Sequence, residues 1–251
     1  NDWAAQRNTT DGMTFAIDND LVVLDLGVSN NDEGDGIGAL QHYWINASKS
    51  SDLWNVNLFF SHYSSNTNTG MKLHDGTQGG LDFKYSVMSG ALDLNISYNA
   101  VRFNDIENQP NTFENEFEMM DLSATYIISN SLNLTAGMIS VGEDGFYTNG
   151  NGNMGNYGTN SWLTHGNIGH LGANQENLYF EGSYEMGKIK MMIATHSVSN
   201  TENEAYDRQA TELSAKYSLS NKTEVTYKIV SDNNGSEIDT KYNWLTITMN
   251  I

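Results

Sequence analysis

The chain has no cysteine in its 251 residues, which excludes a disulfide framework and any thiol chemistry. It has a single proline, Pro110, in a polar stretch, so no candidate strand carries a residue that would break its hydrogen-bond ladder. Basic residues are scarce: 12 Lys and Arg stand against 31 Asp and Glu, a formal charge of −19. That balance excludes the basic footprint a nucleic-acid-binding protein needs. Acidic clusters such as Asn30–Gly36 (NNDEGDG) read individually as solvated surface. No apolar run reaches the roughly 18 residues of a membrane-crossing helix. This leaves β-barrels open, because barrel strands alternate and keep a low mean hydropathy. Nucleophile elbows, phosphate-binding glycine loops and HExxH motifs are all lacking, so the expectation is a protein that is not an enzyme and needs no cofactor.

What the sequence does have is alternation. Gln209–Leu219 reads QATELSAKYSL and residues 222–230 read KTEVTYKIV, with a tight turn at Ser220–Asn221; after a polar stretch, Asn243–Ile251 places Leu245, Ile247, Met249 and Ile251 on one face. Strict period-two patterning predicts strands with one apolar and one polar side. The same pattern predicts strands over Gly12–Asp18, Leu21–Ser29, Ala39–Ser48, Trp54–Ser64, Leu81–Met88, Leu92–Arg102, Phe117–Ile128, Leu132–Val141, Leu178–Met186 and Ile189–Ser199. Short turns alternate with long connections at Asn30–Gly38, Ser65–Gly80, Phe103–Glu116, Gly142–Asn177, Asn200–Arg208 and Asp232–Thr240. A Greek-key sandwich has no reason to alternate in this way. A transmembrane, antiparallel, up-and-down β-barrel with short periplasmic turns and long outer loops does.

The expected fold class is therefore all-β, with residues 1–251 forming one barrel domain and no helix. About thirteen strands are visible, whereas single-chain bacterial barrels have an even number. The expectation is a processed or truncated chain that forms the C-terminal portion of a larger barrel, of roughly 16–18 strands.

The two faces divide by chemistry. Val22, Leu24, Leu26 and Val28, then Trp54, Val56, Leu58 and Phe60, then Leu92, Leu94, Ile96 and Tyr98, then Leu122, Ala124 and Tyr126, then Leu178, Phe180 and Tyr184 form apolar stripes expected to meet outer-membrane lipid. Tyr85, Tyr98, Tyr126, Tyr184 and Tyr217 would contribute to an aromatic girdle at the headgroups. The opposite face carries Asp25, Asn55, Asn57, Asp82, Lys84, Asp93, Asn95, Asp121, Glu181, Lys190, Glu212, Lys216, Glu224 and Lys228, expected to line a wet pore because a packed core tolerates charges only when paired. A hairpin turning about Ser220 would set Lys216 opposite Glu224, Glu212 opposite Lys228 and Leu213 opposite Tyr227, pairs that fix register rather than bind substrate.

The longest connection, Gly142–Asn177, is rich in Gly and Asn and holds Asp144, Phe146, Tyr147, Trp162, His165 and His170. Loops of that size are functional or disordered, and the readings are a pore constriction or a mobile external loop. His165 and His170 lack a third ligand in a recognisable pattern, and Asp32, Glu33 and Asp35 lack the spacing of a helix–loop–helix calcium site, so no metal is expected.

Several segments carry a resemblance: LNLTAGMIS followed by GEDG, the loop WLTHGNIGHLG, the strands ENLYFEGSYEMGKIKMMIATHSVS and ATELSAKYSLSNKTEVTYKIV, the closing NWLTITMNI, and the opening NDWAAQRNTTDGMTFAI. Together these resemble outer-membrane porins of the alginate-export type, in their C-terminal part. The resemblance implies a single-chain barrel passing anionic polysaccharide or small solutes through an arginine-rich lumen. The chain departs from that pattern in having three arginines, Arg7, Arg102 and Arg208, and in ending on Ile251 where many such barrels end on phenylalanine.

The resulting expectation is an outer-membrane porin of a Gram-negative bacterium, a passive channel for small hydrophilic solutes that is neutral or weakly cation-preferring, since carboxylate rings favour cations. It would sit in outer-membrane lipid, as a homo-oligomer or beside an envelope partner. Two rivals differ in class: a structural barrel or sheath with a partner in its lumen, separated by conductance, and a secreted soluble β-sandwich binding carbohydrate, separated by solubility without detergent.

Overall fold

A computed structural model describes residues 11–31, 40–65, 76–103, 116–143, 174–202, 207–220, 222–233 and 240–249. Among them are β1 (Asp11–Asp18), β2 (Val23–Asn31), β3 (Leu40–Ser50), β4 (Trp54–Ser65), β5 (Gly76–Val87), β6 (Leu92–Phe103), β7 (Glu116–Ser129), β8 (Leu132–Val141), β9 (Gln175–Met186), β10 (Ile189–Asn200), β11 (Arg208–Ser220), β12 (Thr223–Asp232) and β13 (Thr240–Met249). A one-turn 3₁₀ segment, Met88–Gly90, joins β5 to β6. The hydrogen-bonded order runs from β1 to β13 without a crossover, the up-and-down arrangement that the alternating connections predict.

The tight turns are closed by short polar side chains that replace ladder partners. Asn19 accepts from the backbone N–H groups of Leu21 (2.8 Å) and Val22 (3.1 Å). Ser51 accepts from Leu53 and Trp54 at 3.3 and 3.2 Å, and Ser129 and Ser220 each accept at 3.2 Å from the residue two positions on. The β9–β10 turn uses Gly187 at φ +61°, a conformation a Cβ would disfavour.

Three strands start three or more residues earlier than their sequence pattern indicates. β5 begins at Gly76 instead of Leu81, β9 at Gln175 instead of Leu178 and β13 at Thr240 instead of Asn243. In GTQGG the glycines carry no side chain to alternate, so the ladder extends where the pattern is silent.

The chain divides into two compact units, one of Asn1–Tyr85, Asn95–Met120 and Val141–Gly155, the other of Ser86–Leu94, Asp121–Ser140 and Asn156–Ile251. In the first, cross-strand rows such as Phe15–Leu26–Ile45–Phe60 and Ile17–Leu24–Ala47–Leu58–Leu81 continue from strand to strand. In the second, Leu132–Tyr184–Met191–Ala215–Tyr227–Leu245 forms a comparable row. Residues of both rows stay exposed: Leu58 is 52% and Leu245 67% accessible. Apolar stripes left this open mark a surface built to meet protein or lipid.

The buried residues lie on the other face. In the first unit they include Ser61, Gln78, Asn99, Val101 and Met119; in the second, Ile139, Asn177, Tyr179, Ala194, His196, Val198, Arg208, Ala210, Glu212, Lys228, Val230 and Asp232. They occupy the halves of their strands nearer the long connections.

Candidate functional site

Because successive side chains alternate, the face opposite the apolar rows can be followed strand by strand. In the first unit Asp25 lies opposite Asn46, Asn57 opposite Asp82, and Asn55 opposite Lys84. Ser97 donates to Asp82 at 2.5 Å, which places β6 and Asn95 on this face. In the second unit Ser86 donates to Asp93 at 2.6 Å, and the Tyr179 hydroxyl donates to Asp121 at 3.3 Å. Glu181, Ala194 and Glu212 form one row, and Lys190 lies between Glu185 on β9 and Lys216 on β11.

The final hairpin departs from its expected register. Lys216 lies opposite Thr226, Glu212 opposite Val230 and Leu213 opposite Ile229, with an irregularity between Ser218 and Ser220. The turn closes between Ser220 and Thr223 instead of about Ser220, which displaces the pairing by three positions, and the irregularity moves it back by one, so each partner lies two positions from the expected one. The ion pairs survive as diagonals: Lys216 reaches Glu224 at 2.5 Å and Lys228 reaches Glu212 at 3.5 Å. Long side chains span such diagonal neighbours.

The two pairs sit in different surroundings. Lys216 and Glu224 are 42% and 35% accessible, whereas Lys228 and Glu212 are 9% and 0%. Arg208 and Asp232, also buried, approach to 3.9 Å, and the Asn177 amide lies 3.1 Å from His196 Nδ1. The pair near the short turn is thus open to solvent, and the pairs nearer the long connections are buried charges held by their partners.

Sequence patterning missed other features. Trp44 and Phe59 share this face, since their flanking residues Tyr43, Ile45, Leu58 and Phe60 are exposed on the other. Glu118 lies on the apolar side and accepts from the Tyr98 hydroxyl at 3.0 Å, so the stripe of β7 does carry a charge near its long-connection end. Tyr85, Tyr126, Tyr184 and Tyr217 are exposed close to short turns, whereas Tyr98 sits mid-strand. Asp144, Phe146, Tyr147, Trp162, His165 and His170, with Asp32, Glu33 and Asp35, lie outside the described residues. Among the described residues no group of three or more side chains could hold a metal ion.

No protein-family model and no curated protein matches the sequence. Solved structures do match the fold. OccK11 (OpdR) of Pseudomonas aeruginosa is similar at a TM-score of 0.68 and 12% identity, over 96% of this chain and 69% of that one. A porin is similar at 0.55 and 8% identity, over 95% and 90% of the two chains. The fold is that of a porin. OccK3 (OpdO) of the same organism adds a third likeness, at 0.54 and 11% identity over 94% and 72%. In a porin fold, strands with one exposed apolar face and one polar face are what a bilayer outside and water inside require.

Proposed function

We propose that the protein is an outer-membrane channel of a Gram-negative bacterium through which small hydrophilic solutes diffuse. The observation that carries this reading is the division of each strand of the porin fold into an exposed apolar face and a face holding carboxylates, amides and lysines. Short turns face the periplasm and long connections the outside, and Asp25, Asn55, Asn57, Asp82, Lys84, Asp93, Asn95, Asp121, Glu181, Lys190, Glu212, Lys216, Glu224 and Lys228 face the pore.

Within that group the wet residues set selectivity, and the buried Glu212–Lys228 pair braces the wall. Carboxylates outnumber lysines on this face, so transport is neutral to weakly cation-preferring. The alginate-export resemblance carries over as architecture, not as cargo. Of the three arginines, Arg7 lies outside the described residues, Arg102 alternates onto the apolar side next to Val101, and Arg208 is engaged with Asp232.

Liposome swelling tests the reading. Protein-containing vesicles should admit small neutral and cationic solutes faster than anionic ones of equal size. Vesicles that admit none despite inserted protein, or that favour anions, would contradict it.

A further inference from the structure

On the apolar face of the second unit, each strand's apolar run gives way to polar side chains as the strand nears its long connection. The change falls between Met138 and Ser140 on β8, Leu213 and Thr211 on β11, and Leu245 and Asn243 on β13. Beyond it Thr195, Ser197, Gln209, Thr211 and Lys241 are exposed and Ser231 is half-buried.

The change does not follow one hydrogen-bonded row. Met138 shares its row with Leu178, Ser197 and Gln209, so a single row is apolar on β8 and β9 and polar on β10 and β11. Leu245, the last apolar residue of β13, lies in the row of Leu132. That row is three below the row of Met138, nearer the short turns. From β8 to β13 the edge of the apolar band thus descends by six residues, Met138 to Leu132, over five strand spacings. This is about 20 Å along the strands against about 24 Å across them, a slope of about 40°.

A planar lipid edge leaves such a slope on tilted strands, and strands in a membrane barrel tilt by about 35–45°. The first unit, taken alone, descends in the same direction: the row Met13–Val28–Tyr43 is apolar on β1 to β3 and meets His62 on β4. Tyrosines bridge the edge in both units. Tyr227 donates to Asn243 at 3.3 Å and Tyr98 to Glu118 at 3.0 Å, each with its ring among apolar residues and its hydroxyl on a polar side chain beyond them.

We propose that Thr195, Ser197, Gln209, Thr211, Ser231 and Lys241 form a docking surface for the headgroup layer of the outer leaflet. Thickness decides between headgroups and open water. The headgroup layer adds about 5–8 Å to each side of the hydrocarbon. Each row on a strand tilted by about 40° climbs about 5 Å, so the first one or two polar rows stay within the layer. A basic cluster would select anionic lipid. Here one lysine stands among hydroxyls and an amide, which bond phosphate oxygens and headgroup hydroxyls whatever the net charge of the lipid.

The docking surface rests on the reading of the apolar face as lipid-facing, and one set of labels tests the two apart. The chain has no cysteine, so single cysteines can carry an environment-sensitive fluorophore in the full chain, reconstituted into phosphatidylcholine vesicles. A label on Thr211→Cys should be quenched by lipid bearing a headgroup nitroxide, and little by a nitroxide deep in the acyl chain or by aqueous iodide. Ser197→Cys should behave alike, and serves if Thr211→Cys does not fold. Ala136→Cys, in the row of Thr211, should report acyl chains about 9 Å deeper. Ile247→Cys, three rows below on β13, should report the same depth as Ala136→Cys.

Iodide quenching at Thr211→Cys, with Ala136→Cys and Ile247→Cys in the acyl chains, would put the surface in water and overturn the proposal while upholding the lipid face. Deep quenching at Thr211→Cys, or protection from all three quenchers, would overturn it as well. Equal depths for Ala136→Cys and Thr211→Cys would remove the slope on which it stands. Iodide quenching at every position would refute the lipid-facing reading itself.

Discussion

Glu212 and Lys228 show how a residue's environment alters what its charge does. At an N–O distance of 3.5 Å and near-complete burial, each stands as a countercharge to the other inside the wall. Removing one should leave the other uncompensated: Glu212→Ala is expected to cost about 3–5 kcal/mol, read from the urea midpoint of the protein in vesicles. Replacing both with apolar residues of similar volume should recover most of that loss. Lys216→Ala, at a pair 42% and 35% accessible, should cost no more than about 1 kcal/mol. Equal costs at the two positions would show that the wall is uniformly wet. On the apolar face, Leu58→Arg should destabilise by about 2–4 kcal/mol in lipid. Asn57→Arg, one residue away and facing the other side, should leave stability nearly unchanged and shift ion preference toward anions.

At the level of strands and turns, connection length determines which insertions the protein tolerates. A tag of about ten residues in connection 233–239 should leave assembly intact and be reached by antibody on whole cells, whereas the same tag at Gly187–Lys188 should be reached only after the outer membrane is permeabilised. Labelling of both sites on intact cells would invert or abolish the proposed orientation.

The elements were legible in sequence wherever alternation was clean. β10 and β11 appear nearly in full because Ile193, Leu213, Ala215 and Tyr217 recur at period two between polar residues. β5 was legible only from Leu81, because Gly76, Gly79 and Gly80 have nothing to alternate. The alternation of the polar face was legible, but the burial of Glu212 and Lys228 was not, since it depends on what packs around them. The side on which Trp44 and Phe59 lie was hidden for a related reason: both stand among apolar neighbours, and an aromatic inside a run such as LFF gives no sign of its face. The register of the last hairpin was missed because its turn closes between Ser220 and Thr223 and is followed by a bulge at Ser218–Ser220, neither of which the polar run around Ser220 distinguishes from a turn about Ser220 itself.

For the whole molecule, the −19 charge and the excess of carboxylates on the polar face make opposite demands on cargo from those of an arginine-lined pore. Acidic clefts concentrate cations and repel polyanions. A porin-fold channel with an acidic-to-mixed wet wall should conduct cations in preference to anions, which single-channel recording of the detergent-extracted protein in a planar bilayer under a salt gradient measures. Stable conductance steps with a reversal potential on the cation side are the expected result. Insertion without steps, or a reversal potential on the anion side, would contradict it.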